Sequence, residues 1–214
     1  MDITCIADLH GYYPELPGGD LLIVAGDLTE RDEFKQYIKF NAWLLKQKYR
    51  KKILIAGNHD KWIEKAPMLK ETFYDCEYLC DSGTEFEGLK IWGSPWTKTF
   101  SGMNQKCKAF TCDTEEELAE KFHSIPDVDI LVTHSPPYGI FDAVIRNPND
   151  IPKSMGSEFL LNKITGRTNL KVHIFGHIHE HGGKSRCLGT TKFINASHVN
   201  ERYEPVNKPV RIVL

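Results

Sequence analysis

Five short apolar runs punctuate the chain, and each stops at a small group of polar residues. The runs are Ile3 to Ala7, Leu21 to Ala25, Ile53 to Ala56, Ile130 to Val132 and Val172 to Phe175. Runs of this length, rich in Ile and Val, predict buried strands. The groups that follow are Asp8-Leu9-His10, Gly26-Asp27, Gly57-Asn58-His59-Asp60, Thr133-His134 and Gly176-His177-Ile178-His179. Because α/β proteins bind ligands beyond the carboxyl ends of their strands, the five groups are expected to converge on one rim.

The intervening segments complete a mixed α/β pattern. A helix is predicted from about Asp32 to Lys46, with Phe34, Tyr37, Ile38 and Leu45 as its core-facing stripe. Set between two strands, it predicts a βαβ unit within one sheet. Lys61 to Asp81 reads as a short helix and an irregular link, and Glu85 to Trp92 as a hairpin turning at Gly88. Thr97 to Cys112 is polar and weakly patterned, a long surface loop by this reading. Thr114 and Glu117 form a capping-box signature for a helix that has ended by Pro126. Pro136 and Pro137 stop the strand before them. A second loop, Asn147 to Gly156, precedes a helix near Glu158 to Ile164, and Lys192 to Ala196 and Val210 to Leu214 read as further strands.

Composition narrows the class. The chain has 214 residues, 41% hydrophobic and 26% charged, as in an ordinary globular domain. Its net charge of −2 carries no basic excess, so nonspecific nucleic-acid binding is not indicated. The basic cluster Lys46, Lys48, Arg50, Lys51 and Lys52 reads as a solvated helix end and turn. With no signal-peptide pattern and no apolar stretch long enough to span a bilayer, a cytoplasmic location is the expectation. Six cysteines fit free thiols in a reducing compartment. The spacings of Cys76 with Cys80 and Cys107 with Cys112 are not the two-residue knuckle of a zinc site.

His, Asp and Asn gathered at one rim make a cation site of nitrogen and oxygen donors. No cysteine belongs to the set, which argues against a structural thiolate zinc centre. His177 and His179 are two apart, so on an extended segment they point the same way.

The order of these five motifs resembles the calcineurin-like metallophosphoesterase superfamily, over nearly the whole chain. That resemblance implies an αββα sandwich: two sheets face to face, helices outside, one domain over residues 1–214. It further implies two divalent metal ions. Asp27 would bridge them; Asp8, His10 and His179 would complete one shell, and Asn58, His134 and His177 the other. Manganese is favoured, and the donor set also admits Fe, Zn, Co or Ni. A water shared by two cations ionises near neutral pH and would attack phosphorus. His59 is implied to act on the leaving group as general acid or charge stabiliser, with Asp60 orienting it and fixing its tautomer.

Further segments narrow the branch: Pro17 to Leu22, Phe40 to Leu44, Gly93-Ser94-Pro95-Trp96, His134 to Ile140 and Phe193 to Ser197. They resemble the small metallophosphoesterase-domain-containing proteins related to class III cyclic-nucleotide phosphodiesterases, which hydrolyse phosphodiesters, including 2′,3′-cyclic nucleotides. Some animal relatives carry Gly for one His of the Gly-His-x-His motif; this chain keeps both His177 and His179. It departs in having Asp60 where many relatives have Glu, and in the loop Asn147 to Gly156.

The expected activity is therefore hydrolysis of a phosphodiester, with a small phosphoester or nucleotide as partner. Phosphomonoesterase activity and a nucleotide-binding regulatory role are the competing readings; a nuclease is disfavoured by the charge balance. Trp92, Trp96, Phe100 and Tyr138 are expected near the rim, at least one of them against a ligand. His173 reads as a core histidine, His181 as an exposed one.

Overall fold

The computed structural model describes residues 1–100, 103–145 and 151–214. Among the described residues, two main sheets carry eleven strands. These are β1 (Asp2–Ile6), β2 (Gly19–Ala25), β3 (Tyr49–Ile55), β4 (Glu77–Tyr78), β5 (Ser82–Phe86), β6 (Leu89–Ser94), β7 (Ile130–Thr133), β8 (Val172–Phe175), β9 (Ser185–Leu188), β10 (Thr191–Asn195) and β11 (Val210–Val213). The first sheet has the order β11-β1-β2-β3-β4 and the second β9-β10-β8-β7-β6-β5. Within each, the central strands are parallel: β1 to β4 in the first, and β6, β7, β8 and β10 in the second. Their carboxyl ends therefore share a rim, as the run-and-motif pattern predicts.

Alternation along the strands builds the layers. In β1 to β3, Ile3, Cys5, Leu21, Ile23, Ile53 and Ile55 face inward and meet Ile91, Ile130, Val132, Val172, Ile174 and Ile194 of the other sheet. Their neighbours Ile6, Leu22, Val24 and Leu54 face outward onto helix α1 (Phe34–Lys46). Burial on both faces is why these strands read as continuous apolar runs. Helices α3 (Glu115–His123) and α4 (Glu158–Ile164) cover the outer face of the second sheet, packing Leu118, Phe122, Leu160 and Ile164 on Leu131, Phe175 and Phe193. The expected αββα sandwich is the observed fold. The start of α3 is capped as patterned, with Thr114 accepting from the Glu117 amide; α4 is capped by Ser157, which accepts from the amide of Leu160. The short helix after Asp60 is α2 (Lys61–Lys65).

Three local expectations are corrected. Helix α1 buries Tyr37, Phe40, Trp43 and Leu44, whereas Phe34, Ile38 and Leu45 are half-exposed. The apolar arc is wide, and the sheet takes the edge bearing aromatics with satisfied polar tips: Tyr37 donates to Asp32 and Trp43 to the Pro14 carbonyl. The basic cluster is only partly solvated. Lys52 is buried in β3 and donates to the Leu44 carbonyl and to Asp75. Thr97 to Cys112 is no simple surface loop. Its ends pair as parallel strands, Thr97–Lys98 with Thr111–Cys112, and Met103, Ala109 and Phe110 are buried. The loop Asn147 to Gly156 lies partly outside the described residues. No helix among the described residues is long and apolar enough to cross a membrane.

Candidate metal centre

The two sheets are stitched together at the rim where β1 ends. Ala7 donates to the Ala196 carbonyl and accepts from His198, joining the end of β1 to the segment that follows β10. Beyond β1, β2 and β8 the backbone turns through left-handed conformations. Asp8, His10, Asp27 and His177 all have positive φ, between 44° and 69°. Such conformations are costly for residues with a Cβ and persist only where the surroundings impose them. Here they bring four polar side chains to the same rim.

Room for them depends on glycine. A Cβ on Gly57 would stand 2.2 Å from Oδ1 of Asp27, and one on Gly176 would stand 2.2 Å from Oδ2 of Asp8. The glycines of Gly-Asn-His-Asp and Gly-His-Ile-His are thus required by close approach of two carboxylates.

The structure brings all seven predicted ligands together in two groups that share Asp27. In the first, one donor atom each from Asp8, His10, Asp27 and His179 lie within 4.8 Å of one another. His10 Nε2 is 3.2 Å from His179 Nε2 and 3.6 Å from Asp27 Oδ2, and His179 Nε2 is 3.3 Å from Asp8 Oδ1. In the second, His134 Nε2 is 3.4 Å from Asp27 Oδ1 and 3.0 Å from Asn58 Oδ1, which is 2.9 Å from His177 Nδ1. The two oxygens of Asp27 therefore face different groups. Divalent cations hold such donors at about 2.0 to 2.2 Å, which places neighbouring donors of one shell roughly 3 Å apart. Both groups fit that spacing.

Surrounding contacts fix which atom faces inward. His134 Nδ1 meets the Ala25 carbonyl at 3.0 Å, which leaves Nε2 for the site. The Asn58 amide donates to the Cys107 carbonyl at 3.1 Å, turning its oxygen to the two imidazoles. Asp8 accepts from the His177 amide and, at 2.6 Å, from the Ser197 hydroxyl. Asp27 accepts from the His59 amide at 2.9 Å.

Electrostatics suit a cation site. Burial pushes His10 and His177 down to about 3, so both stay neutral with a lone pair to offer. Burial opposes ionisation of Asp8 and Asp27. The hydrogen bond and charge of His179 nevertheless hold Asp8 at about 2, and the charges of His134 and His59 hold Asp27 well below the usual range. Burial likewise opposes a charge on His134, but the Asp27 carboxylate lifts it to about 9, so a cation bound here must displace the proton on this ring.

His59 is buried beside the candidate ligands without joining either group. Its Nδ1 meets the Glu30 carbonyl at 3.0 Å, which leaves Nε2 unclaimed by that contact. Burial works against its charge, but Asp27, helped by Cys107 and the Glu30 carbonyl, raises it to about 10. Asp60 corrects the sequence reading, because the Glu30 carbonyl, and not this carboxylate, meets the His59 ring nitrogen. Asp60 is fully buried and accepts from the amides of Leu28, Thr29 and Gly57, tying the Asp27 turn to the Asn58 turn. Burial and the Asp27 charge raise it to about 7.

A cavity of about 310 Å³ opens over the centre and is lined by Asp27, Asn58, His59, His177 and His179. Of the four aromatics expected at the rim, Phe100 lines it. Trp96 is part of the outer core with its indole donating to Asp81, Trp92 packs under the second sheet, and Tyr138 stands exposed. His173 is a buried sheet histidine held by Thr133, as expected, and His181 is half-buried against the Ala143 carbonyl. Two contributors escaped the sequence reading. Ser197 braces Asp8, and Tyr203 lines the cavity with its ring 4.8 Å from His10 and 5.1 Å from His179. Burial keeps the Tyr203 phenol protonated, raising it to about 12.

Comparison with known proteins places this arrangement. The family model for calcineurin-like phosphoesterases matches residues 1–181. The human metallophosphoesterase domain-containing protein 1 is 37% identical over 241 residues, covering 99% of this chain and 70% of that protein. A UPF0046 protein of Caenorhabditis elegans is 32% identical, covering 97% and 78%. Among solved structures, a phosphopantetheinyl hydrolase from Mycobacterium tuberculosis superposes with a TM-score of 0.61 at 17% identity, over 99% of this chain and 95% of that one, a likeness of fold.

Proposed function

The chain belongs to the calcineurin-like phosphoesterase family, and from that premise we propose that it is a dinuclear-metal-dependent phosphodiesterase. The observation that carries the reading is the division of Asp27 between two donor groups, one oxygen to each. Asp8, His10 and His179 would hold one divalent cation with Asp27; Asn58, His134 and His177 would hold the other. Manganese is the favoured ion. Two cations so placed would supply charge neutralisation for the phosphoryl oxygens and a nucleophilic water at neutral pH.

The chain's own residues do the rest. His59 keeps its Nδ1 on the Glu30 carbonyl and presents Nε2 as a proton donor to the leaving oxygen. Asp60 keeps the Asp27 and Asn58 turns in register. The cavity wall beyond the donors includes Met103, Val144, Met155 and Ile178, an apolar surface that accommodates a second ester arm better than a second phosphate charge. This favours a diester over a monoester. Residues 1–214 act as one domain, since β9, β10 and β11, beyond the family match, complete both sheets.

The test is hydrolysis of an aryl phosphodiester and its matched monoester by metal-stripped protein reloaded with Mn²⁺, beside Asp27→Ala. Diester turnover that needs Mn²⁺ and vanishes in the variant is expected. Preference for the monoester would refute the diester assignment.

A further inference from the structure

Tyr203 touches three site imidazoles from a segment with no part in the motifs. Its ring centroid lies 4.8 Å from that of His10, 5.1 Å from His179 and 6.2 Å from His59. Its contacts with the first two are T-shaped, with interplanar angles of 71° and 90°. It also lines the cavity and remains 43% exposed, so part of the phenol is open to whatever enters.

A dedicated turn holds it there. Asn200 accepts from the amides of Arg202 and Glu204 through its side-chain oxygen and donates to the Glu204 carboxylate. Its backbone amide donates to the Glu204 carbonyl, and its carbonyl accepts from Tyr203. Inside this clamp Tyr203 has φ of +61°, a conformation rare for an aromatic residue. The strain is confined to the residue that faces the site, the pattern expected where a backbone cost secures a functional placement.

The position has a chemical consequence. His59 and Tyr203 stand side by side on the cavity, their planes tilted by 54°. Both rings line the cavity 6.2 Å apart, so a leaving group seated against His59 lies within reach of the Tyr203 ring. We propose that Tyr203 is a positioning residue that packs against the leaving group of the phosphoester and selects flat, aromatic leaving groups over flexible alkyl ones. The proposal rests on the phosphoesterase reading of the same centre. A phenol ring offers an apolar face and a polar tip, so it discriminates by stacking while tolerating hydroxyl-bearing groups.

The experiment compares wild type, Tyr203→Phe and Tyr203→Ala, each loaded with Mn²⁺, on an aryl alkyl phosphodiester and on a dialkyl phosphodiester of the same charge. Metal content is measured on every sample. For Tyr203→Ala, KM on the aryl diester is expected to rise about tenfold, the scale of one lost aromatic stack. KM on the dialkyl diester should move less than about twofold, with kcat for both changed less than KM and metal content unchanged. Tyr203→Phe should retain the aryl preference. Equal losses on both substrates, or loss of metal from Tyr203→Ala, would make the ring a prop for His10 and His179 and overturn the proposal. If wild type cleaves an aryl monoester but no diester, the phosphodiesterase reading fails, and the same aryl-against-alkyl comparison on monoesters still decides the role of Tyr203.

Discussion

Ser197 donates its hydroxyl to Oδ2 of Asp8 at 2.6 Å, across a sequence separation of 189 residues and across the seam between the two sheets. The same carboxylate accepts from the His177 amide, so its remaining directions are aimed at His179 and the cation position. A ligand braced in this way loses affinity when the brace is removed. Ser197→Ala should weaken divalent-cation binding about tenfold or more while leaving the fold intact. Isothermal titration with Mn²⁺ checks this, with thermal unfolding as the control. Unchanged affinity would show that Ser197 merely satisfies a buried carboxylate.

Gly57 tests whether the centre tolerates crowding. Its added Cβ would meet Oδ1 and the amide of Asp27 at 2.2 and 2.6 Å and Cε1 of His134 at 2.7 Å. None of these atoms is the free end of a flexible chain. Gly57→Ala should therefore cost about 2 kcal/mol or more in stability and abolish binding of at least one cation. Chemical denaturation and metal analysis read the two effects separately.

His59 and Asp60 are neighbours with separable duties. His59→Ala should lower kcat by about 10²-fold with both cations still bound, because the imidazole belongs to neither donor group. Asp60→Ala should act on the scaffold, since it leaves the buried amides of Leu28, Thr29 and Gly57 without their acceptor, at about 1 to 3 kcal/mol for each unpaired group. Loss of metal in the first variant, or unchanged stability in the second, would reverse these roles.

Acid sensitivity follows from His173, which lies in β8 away from the donor groups. Burial pushes it down to about 3, and its Nε2 pairs with Thr133. The unfolded chain protonates this imidazole near its ordinary pKa of about 6.5, whereas the folded chain resists until far lower pH. Protons thus bind the unfolded state preferentially between about 6.5 and 3, so stability falls as pH falls through that window. The slope from one such group is at most about 1.4 kcal/mol per pH unit. His173→Gln should flatten the decline measured between pH 6.5 and 4.5 by up to that amount, whatever its effect at pH 7.

The strands and the candidate ligands were readable because their signals are local. Each buried parallel strand is an apolar run, and each candidate ligand follows the run that carries it, so Asp8, Asp27, Asn58, His134 and His177 need no long-range information to be placed at a rim. Residues placed by tertiary closure were not readable. Ser197 reaches Asp8 only because Ala7 pairs beside the segment after β10, and Tyr203 is delivered by a polar turn with no apolar period to announce it. The face of α1 was misjudged for a related reason: its sequence offers two apolar edges, and only the sheet decides between Tyr37, Phe40 and Leu44 on one and Phe34, Ile38 and Leu45 on the other. The segment from Thr97 to Cys112 looks like solvent-facing chain, yet it seats Ala109 against Asn58 through an amide-to-carbonyl bond of 3.1 Å.

The most direct test of a carboxylate shared by two cations is anomalous diffraction from crystals grown with Mn²⁺. Two peaks are predicted about 3.5 to 4 Å apart on either side of Asp27, one against Asp8, His10 and His179 and the other against Asn58, His134 and His177. A single peak, or two peaks that do not both contact Asp27, would contradict the dinuclear centre.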